Sequence, residues 1–301
     1  MIPIAIAFTP NYFVQAATLL RSILDASPSG RFKIVCMLTE EIPQRMKDEL
    51  FQLGNGRMSF VFFMLKGKLD GLYIDPRYTE ASSMRLLLPE LLPDVDRIIY
   101  LDCDIIVRQD LALLWKETNL EDNYLAAVYE APIENQAEHI RSIGCDPQRY
   151  FNAGFTFLNL AQMRDEGVAE RLMDACRVPY LEFPDQDALN QVCQGRVLPL
   201  SPLYNSIRTF FIPKYKPAFV RQYGEEMWKQ VHKEATIHYT GGKPWNIFTV
   251  QFGVWWRVYD TLPQNIKAEW TPGKMARLWK FYQTPFGRIL DLIRGVKQLF
   301  G

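Results

Sequence analysis

The 301-residue sequence lacks an excess of charge of either sign, because 34 Lys and Arg balance 34 Asp and Glu. Without a basic excess there is no bulk attraction for phosphate backbones, which argues against nucleic-acid binding. No apolar run reaches the ~20 residues that cross a bilayer, and the N-terminal MIPIAIAFTP has no basic segment before an apolar one. These absences predict a cytoplasmic protein without a signal peptide or a transmembrane helix.

Paired cysteines are absent as well. Cys36, Cys103, Cys145, Cys176 and Cys193 are scattered, and none forms a Cys-x-x-Cys pair. This pattern favours reduced, buried thiols over a disulfide framework or a zinc site. A glycine-rich turn is also missing after the first apolar segment, where FTPNYF stands. Because a dinucleotide-dependent oxidoreductase needs such a turn, the sequence argues against that class.

Short apolar segments alternate with helical patterns in the first half of the chain. The predicted strands are 2–9, 32–38, 58–65, 97–107, 124–131 and 151–160. Helices are predicted between them, one capped by Asn11, one starting at Pro43 and one around SSMRLLLPELL. Nearly continuous hydrophobic strands in this order predict an α/β fold with a mostly parallel, Rossmann-like sheet and helices on both faces. Since no linker stands out before residue 262, one domain (1–262) and a tail (263–301) are predicted.

The strand predicted at 97–107 contains two carboxylates, Asp102 and Asp104, within IIYLDCDIIV. An unpaired charge is costly to bury, so both side chains need partners. Ligands of open α/β sheets bind at the carboxyl ends of the strands, and side chains two residues apart point to the same side of an extended segment. Two carboxylates placed in this way suit one hard divalent cation such as Mg²⁺ or Mn²⁺. Acids that only cap the next turn are the alternative.

A second polar segment, IHYTGGKPW at 237–245, adds groups that suit a metal and a phosphate. His238 can supply a third metal ligand. The glycine pair that begins at Gly241 lets the backbone approach a phosphate closely, and Lys243 offers it a positive charge. The two other histidines, which lie in helical and charged settings, are interpreted as structural: His139 and His232.

Four segments in this order, YLDCDIIV, YFNAGFTFLNL, FPDQDALN and IHYTGGKPW, resemble family 8 glycosyltransferases. These are the retaining GT-A enzymes that include bacterial lipopolysaccharide galactosyl- and glucosyltransferases and glycogenin. The resemblance implies a UDP-hexose donor (galactose or glucose), a saccharide or lipid-linked glycan acceptor, and a Mn²⁺ (or Mg²⁺) cofactor. It also implies that Asp102, Asp104 and His238 hold the metal on the UDP diphosphate.

The resemblance further implies a set of donor-binding residues. These are Thr9, Asn11, Tyr12, Arg85, Asp102, Cys103, Asn152, Ala153, Gly154, Gly241 and Lys243. One departure from the family pattern is Thr9-Pro10, which stands where an acidic residue that helps to read uracil is common. A second departure is the segment HYTGGK, which is one residue shorter than the glycogenin-like form and changes the expected position of Lys243.

Three residues are implied in the transfer step itself. Asp185 and Gln186 match the pair that faces the sugar hydroxyls and the anomeric carbon, and Glu130 is assigned to the acceptor side. An amide is a poor nucleophile, so Gln186 favours same-face attack by the acceptor. A double displacement would need a carboxylate beneath the anomeric carbon. A UDP-sugar hydrolase and a non-catalytic nucleotide-sugar-binding protein are the alternative functions.

The predicted tail is basic and aromatic although the whole chain is neutral. Over residues 274–300 its cations, set against the single acid Asp291, are Lys274, Arg277, Lys280, Arg288, Arg294 and Lys297. Apolar residues recur at helical spacing at 286, 289, 290, 293, 296 and 300. A basic amphipathic helix lies in the headgroup region of a bilayer, so the tail is predicted to hold the enzyme peripherally on the anionic inner face of the cytoplasmic membrane. Packing of this helix on the core is the alternative.

Overall fold

The computed structural model describes residues 1–73, 80–178, 181–287 and 289. Within them the strands are β1 (Ile2–Phe8), β2 (Phe32–Leu38), β3 (Met58–Met64), β4 (Arg97–Leu101), β5 (Ile105–Ile106), β6 (Leu125–Tyr129), β7 (Phe151–Asn159), β8 (Val197–Pro199), β9 (Ser206–Ile207) and β10 (Ile237–His238). The helices are α1 (Phe13–Ala26), α2 (Gln44–Gly54), α3 (Glu80–Ser83), α4 (Leu88–Leu91), α5 (Leu111–Glu117), α6 (Glu134–Ser142), α7 (Leu160–Asp165), α8 (Val168–Ala175), α9 (Pro184–Val192), α10 (Lys216–Tyr223), α11 (Glu225–Glu234), α12 (Phe252–Asp260), α13 (Gln264–Ala268) and α14 (Lys274–Tyr282).

The central sheet has the strand order β3-β2-β1-β4-β7-β6-β8. β1 pairs in parallel with β2 and β4, β2 pairs in parallel with β3, and β6 with β8. β7 is antiparallel to both of its neighbours, β4 and β6. Every strand of this sheet except β7 therefore runs in one direction, and the prediction of a mostly parallel α/β sheet is confirmed.

Both faces of the sheet are buried. Successive side chains of a strand point to opposite faces, so Ile4, Ile6 and Phe8 of β1 join one core cluster, and Ala5 and Ala7 join the other. The first cluster includes residues of α1, α2, α11 and α12, and the second includes residues of α4, α7, α8 and α9. Burial on two sides explains why the strands are nearly continuous apolar runs.

The segment predicted as one strand at 97–107 is interrupted. β4 ends at Leu101, and β5 belongs to a second sheet of order β5-β10-β9. The chain turns between them, where the Ile105 N–H donates to the Asp102 carbonyl at 3.3 Å. The two acids are therefore not buried inside a strand but stand in a turn at its end.

Three predicted helices also differ from the structure. Asn11 does not cap α1, because a 3-10 turn that begins at Pro10 comes first and Tyr12 is the N-cap. Pro43 precedes α2 as its N-cap instead of being its first residue. The helix predicted around 82–92 consists of α3, a 3-10 turn and α4, since Pro89 has no N–H to continue the helical ladder across the junction.

Residues beyond the predicted boundary at 262 contact α12. Ile266 is fully buried, and the Trp270 ring packs edge-on to Trp255 at 6.1 Å. On α14 the buried Trp279 donates its Nε1–H to Asp260 at 2.7 Å. The division into 1–262 and 263–301 stays a prediction, and the predicted apolar positions 290, 293, 296 and 300 lie outside the described residues. Among the described helices, none has both the length and the apolarity to cross a bilayer.

Candidate active site

The reversed strand β7 gathers three segments at the carboxyl edge of the sheet. Asp102 follows the end of β4 at this edge, and Glu130 follows the end of β6. Because β7 runs the other way, its first residues reach the same edge, where the Asp102 N–H donates to the Gly154 carbonyl at 2.8 Å. On the other side of β7 the Glu130 N–H donates to the Tyr150 carbonyl at 2.7 Å. The start of β7 therefore lies between the two acidic segments.

The small second sheet brings His238 to the acidic turn. His238 on β10 is opposite Ile105 in antiparallel register, and the Tyr239 N–H donates to the Asp104 carbonyl at 3.1 Å. His238 Nε2 lies 3.1 Å from Asp104 Oδ1 and 3.8 Å from Asp102 Oδ2. One ligand atom from each of the three side chains lies within 4.8 Å of the other two. The three residues predicted as metal ligands thus come together in space.

This cluster fits a divalent cation. Carboxylate oxygens with an imidazole nitrogen are donors that Mn²⁺ accepts, and carboxylate oxygens also suit Mg²⁺. Gly154 leaves the space that the cluster needs: a Cβ at this position would overlap the His238 ring and lie 2.7 Å from Asp102 Oδ2. Any larger residue at 154 would therefore push the candidate ligands apart.

The buried side chain of Asn205 fixes the orientation of His238. Asn205 Nδ2 donates to Asn152 Oδ1 at 3.1 Å, so Asn205 Oδ1 is the atom that faces His238 Nδ1 at 3.2 Å. An acceptor at this place requires a proton on Nδ1, so Nε2 is the ring nitrogen that faces Asp104. Asn205 was missed by the sequence analysis, because it stands in an irregular segment without a repeating pattern.

Two buried side chains hydrogen-bond to the same carboxylate oxygen of Asp102. Arg85 Nη2 and the Tyr100 hydroxyl both donate to Asp102 Oδ1, at 2.8 Å and 2.9 Å. Oδ2 therefore remains as the oxygen that faces His238. The Arg85 guanidinium also stacks on the Tyr100 ring at 4.4 Å and pairs with Asp185 at 3.1 Å. Tyr100 was not predicted, although its spacing of two residues from Asp102 was an available signal.

Asp104 is kept ionised by its surroundings. Burial favours the neutral acid, but the ammonium of Lys243 and the imidazole of His238 outweigh this and hold the pKa of Asp104 well below its usual range. Lys243 lies 139 residues further along the chain, contacts Asp104 Oδ2 and donates to the Tyr239 carbonyl at 2.9 Å. Gly241 has a φ of 74°, which glycine adopts without strain, and turns the chain so that Lys243 returns to the site.

Gln186 lies in the first turn of α9 and is held at both ends of its amide. Its Oε1 accepts from the Ala153 N–H at 3.1 Å and from Asn152 Nδ2 at 2.9 Å. Its Nε2 donates to the Tyr150 hydroxyl at 3.0 Å and to Glu130 Oε1 at 3.3 Å. The backbone N–H of Ala153 can only donate, so the orientation of the amide follows from its partners. Two of the three residues predicted for the transfer step, Gln186 and Glu130, are thus in direct contact.

Asp187 supports this network through its hydrogen bond with Tyr150. It is fully buried and accepts from the Tyr150 hydroxyl at 2.5 Å, from His139 Nε2 at 3.0 Å and from the Phe183 N–H at 3.1 Å. With three donors on its two oxygens, Asp187 orients Tyr150 and is closed to solvent. His139 accordingly makes a structural contact at the back of the site.

Two buried carboxyl groups of the site have raised pKa values. Burial raises the pKa of Glu130 to about 7, although hydrogen bonds from Asn152 and Gln186 oppose the shift. Burial likewise raises the pKa of Asp185 to about 6, against the attraction of Arg85. A carboxyl group that titrates near neutrality can accept and release a proton at working pH. Glu130 therefore has the protonation chemistry of a general base.

The residues after β1 lie at the rim of the same edge. Thr9 is partly buried and Asn11 is exposed. The Tyr12 ring packs edge-on against Trp245 at 6.0 Å. Burial raises the pKa of the Tyr12 hydroxyl, and Lys243 is close enough to oppose this shift. Tyr12 therefore lies close to the charged groups of the site.

All five cysteines are free and buried, as predicted. Cys103, between the two acids of the turn, directs its thiol into the core, where Sγ donates to the Ala7 carbonyl at 3.4 Å. Burial raises the pKa of the Cys103 thiol well above its usual value. Only the backbone of Cys103 can therefore face a ligand at the sheet edge.

Comparisons with known proteins identify related chains. The family model of glycosyl transferase family 8 matches residues 3–248. The chain is 29% identical over 237 residues to lipopolysaccharide 1,2-glucosyltransferase of Escherichia coli (strain K12), a match that covers 76% of this chain and 64% of the relative. It is 30% identical over 180 residues to general stress protein A of Bacillus subtilis (strain 168), covering 56% and 60%. The chain thus spans about three-fifths of the length of these relatives.

Solved structures show the same fold. Galactosyltransferase LgtC in complex with donor and acceptor sugar analogues matches with a TM-score of 0.73 at 24% identity, covering 89% of this chain and all of that chain. Glycosyltransferase GlyE of Streptococcus pneumoniae TIGR4 matches with a TM-score of 0.63 at 24% identity, covering 89% and 62%. The prediction of an α/β fold of the GT-A type is confirmed.

Proposed function

The chain belongs to glycosyl transferase family 8, and on this basis we propose that it transfers galactose or glucose from a UDP-sugar to a saccharide acceptor with retention of configuration. The acceptor is lipopolysaccharide or another cell-surface glycan, a proposal supported by the relatives named for such reactions. The observation that carries the proposal is the cluster of Asp102, Asp104 and His238 with Lys243 beside it. Such a cluster suits the diphosphate of a nucleotide sugar.

In this proposal Asp102, Asp104 and His238 hold a divalent cation, Mn²⁺ or Mg²⁺. The ion supplies Lewis-acid neutralisation of the negative charge that develops on the departing diphosphate. Lys243 adds a fixed positive charge at the same edge of the sheet. Asn205 and Tyr100 keep His238 and Asp102 in orientation, so the cluster changes little when charge develops.

The sugar is placed between this cluster and Gln186. Arg85 and Asp185 contact its hydroxyl groups, and Gln186 faces the anomeric carbon. The acceptor oxygen attacks that carbon on the face from which the phosphate oxygen leaves, and UDP departs with the electron pair of the broken bond. Glu130 accepts the proton of the acceptor hydroxyl, which its pKa of about 7 permits at neutral pH.

A panel of UDP-hexoses tests the function. UDP release is measured for each donor with saccharide acceptors, with Mn²⁺ and with EDTA. We expect release with one hexose, dependence on the divalent ion and on the acceptor, and a new glycosidic product. Free sugar as the sole product would identify a hydrolase instead, and donor binding without turnover would identify a nucleotide-sugar-binding protein.

The substitution Asp185→Asn should lower kcat at least tenfold, which is about 1.4 kcal/mol of barrier, and should change UDP affinity by no more than a few-fold. Asp185 is assigned to the sugar, and an amide there keeps the size but loses the charge that pairs with Arg85. Steady-state kinetics and calorimetric UDP binding measure the two effects. If UDP binding collapses while kcat is retained, Asp185 serves the nucleotide and not the sugar.

We also propose that the C-terminal region docks on an anionic membrane surface. Support comes from α14, where Lys274, Arg277 and Lys280 are exposed and recur every three residues. Beyond this helix the described residues Phe286 and Ile289 are 63% and 56% exposed. Cations beside exposed apolar side chains are the pattern of helices that lie in the headgroup region.

Truncation after Thr284 should weaken sedimentation with anionic vesicles at low salt, because it removes the exposed Phe286 and Ile289. This truncation point keeps α14. A shorter chain without Trp279 would expose the core and lose the hydrogen bond from Trp279 to Asp260. The full chain should sediment with phosphatidylglycerol vesicles and not with neutral ones. An unchanged melting temperature is the control, and equal sedimentation of both chains would exclude docking through the residues removed.

A further inference from the structure

Exposed apolar side chains form a row from the turn after Lys243 to the residues just beyond α14. We name this row the apolar rim: Ile247, Phe248, Phe281 and Phe286, of which Ile247 is 47% and Phe248 is 39% exposed. The Phe248 ring lies 5.5 Å from Tyr282, Tyr282 lies 5.9 Å from Phe281, and Phe281 lies 6.2 Å from Phe286. A contiguous exposed apolar surface of this kind marks an interaction site.

Three cations and one carboxylate lie near the apolar rim. Lys274, Arg277 and Lys280 on α14 are exposed next to it. Asp260, at the end of α12, accepts a hydrogen bond from Trp279 at 2.7 Å. An apolar row bordered by cations complements an anionic lipid surface, in which apolar groups enter the headgroup layer and cations meet phosphates.

The apolar rim is tied directly to the candidate active site. The Ile247 N–H and the Asn246 N–H both donate to the Lys243 carbonyl at 2.9 Å, so these residues form one tight turn. The Ile247 side chain lies against Gly242, where a Cβ would overlap it. Lys243, at the start of the turn, reaches Asp104. The exposed side chains and the charged group of the site are thus two ends of one short segment.

We propose that the turn 246–248 is a second membrane contact, in which Ile247 and Phe248 enter the headgroup layer of an anionic bilayer beside α14. This inference rests on the proposed membrane association of the C-terminal region. Two separate membrane contacts define the orientation of the protein on the bilayer, which one helix alone does not. The bilayer then lies next to the turn that carries Lys243, so the carboxyl edge of the sheet opens beside the surface at which a lipid-linked acceptor is presented.

The test uses the full chain and vesicles of phosphatidylglycerol and phosphatidylcholine in equal parts. Phe248→Ser should lower the vesicle partition constant at least fivefold. The matched control is Leu113→Ser on α5, which removes a side chain of similar exposure (46%) outside the rim and should change nothing. Because Phe248 also packs against Phe252, a second variant, Phe248→Trp, keeps an aromatic ring and should bind several-fold more tightly, since Trp favours the interface.

Wild-type binding by both Phe248 variants would overturn the second contact, and truncation after Thr284 would still report on the tail by itself. Failure of the wild-type chain to bind any vesicle would instead remove the membrane proposal as a whole. The third outcome concerns a protein partner. A dimer in vesicle-free buffer that Phe248→Ser dissociates would show that the apolar rim joins two copies of the chain, which also overturns the inference.

Discussion

Asp104→Asn should lower kcat/KM for the UDP-hexose at least 100-fold, about 2.7 kcal/mol of transition-state stabilisation. The Asp104 carboxylate lies 3.1 Å from His238 Nε2 and contacts Lys243, so it is the charge around which the site is arranged. An amide keeps the shape but offers a divalent cation only one neutral oxygen. The measurement is donor turnover over a range of Mn²⁺ concentrations, and the loss should persist when Mn²⁺ is raised tenfold.

The matched control is Asp94→Asn, the same change at an exposed acid shortly before β4. It should leave kcat/KM within twofold, which shows that the loss of one carboxylate as such is harmless. The melting temperatures of both variants show whether each is folded. Full activity of Asp104→Asn, or of the wild type in EDTA, would rule out the assignment of a metal to this cluster.

Glu130→Gln should lower kcat between about 100- and 1000-fold and remove the acidic limb of the pH–rate profile. In the wild type the rate should rise with pH through about 7, because Glu130 must lose its proton before it can accept one. Glutamine preserves the contact with Gln186 but accepts no proton. Rates are measured from pH 5 to pH 9, a range chosen to bracket the pKa of about 7. A variant that retains the acidic limb would show that another group produces it.

The same substitution should stabilise the fold above pH 7. The pKa of Glu130 is about 7 in the folded chain and 4.5 in its unperturbed form, so the folded state binds more protons than the unfolded state between these values. Wild-type stability therefore falls as pH rises through this window. At 1.36 kcal/mol per pKa unit the loss at pH 8 is on the order of 3 kcal/mol. Urea unfolding should find Glu130→Gln more stable than wild type at pH 8 and similar at pH 4; lower stability at pH 8 would contradict the raised pKa.

The features of the fold that depend on local sequence patterns could be predicted from the sequence. Alternating apolar and helical segments predicted the sheet and its two covered faces, and the acids at the end of β4 marked its carboxyl edge. The direction of β7 was not predictable from YFNAGFTFLNL, because a strand buried on both faces looks the same whether it runs parallel or antiparallel. The reversal nevertheless decides that Asn152 and Gly154 reach the site.

Residues that act through a contact with a distant segment escaped the sequence analysis. Asn205 orients His238 although it stands in no recognised segment, and Asp187 orients Tyr150 although its neighbours Asp185 and Gln186 were the predicted site residues of FPDQDALN. Their roles arise only when β9, β10 and α9 have met at the sheet edge. Tyr100 was also not predicted, although its two-residue spacing from Asp102 places both side chains on one side of the chain.

The pairing of β5 with β10 makes the proposed metal affinity a property of the finished fold. Two of the three candidate ligands precede β5, and the third arrives with β10 far along the chain. Contacts of such large sequence separation form late, since the intervening loop must first be closed. During synthesis a chain that has emerged only as far as α11 carries the two acids without the imidazole. A cation at 100 times its Kd adds about 2.7 kcal/mol to native stability, and this gain becomes available only once His238 is in place.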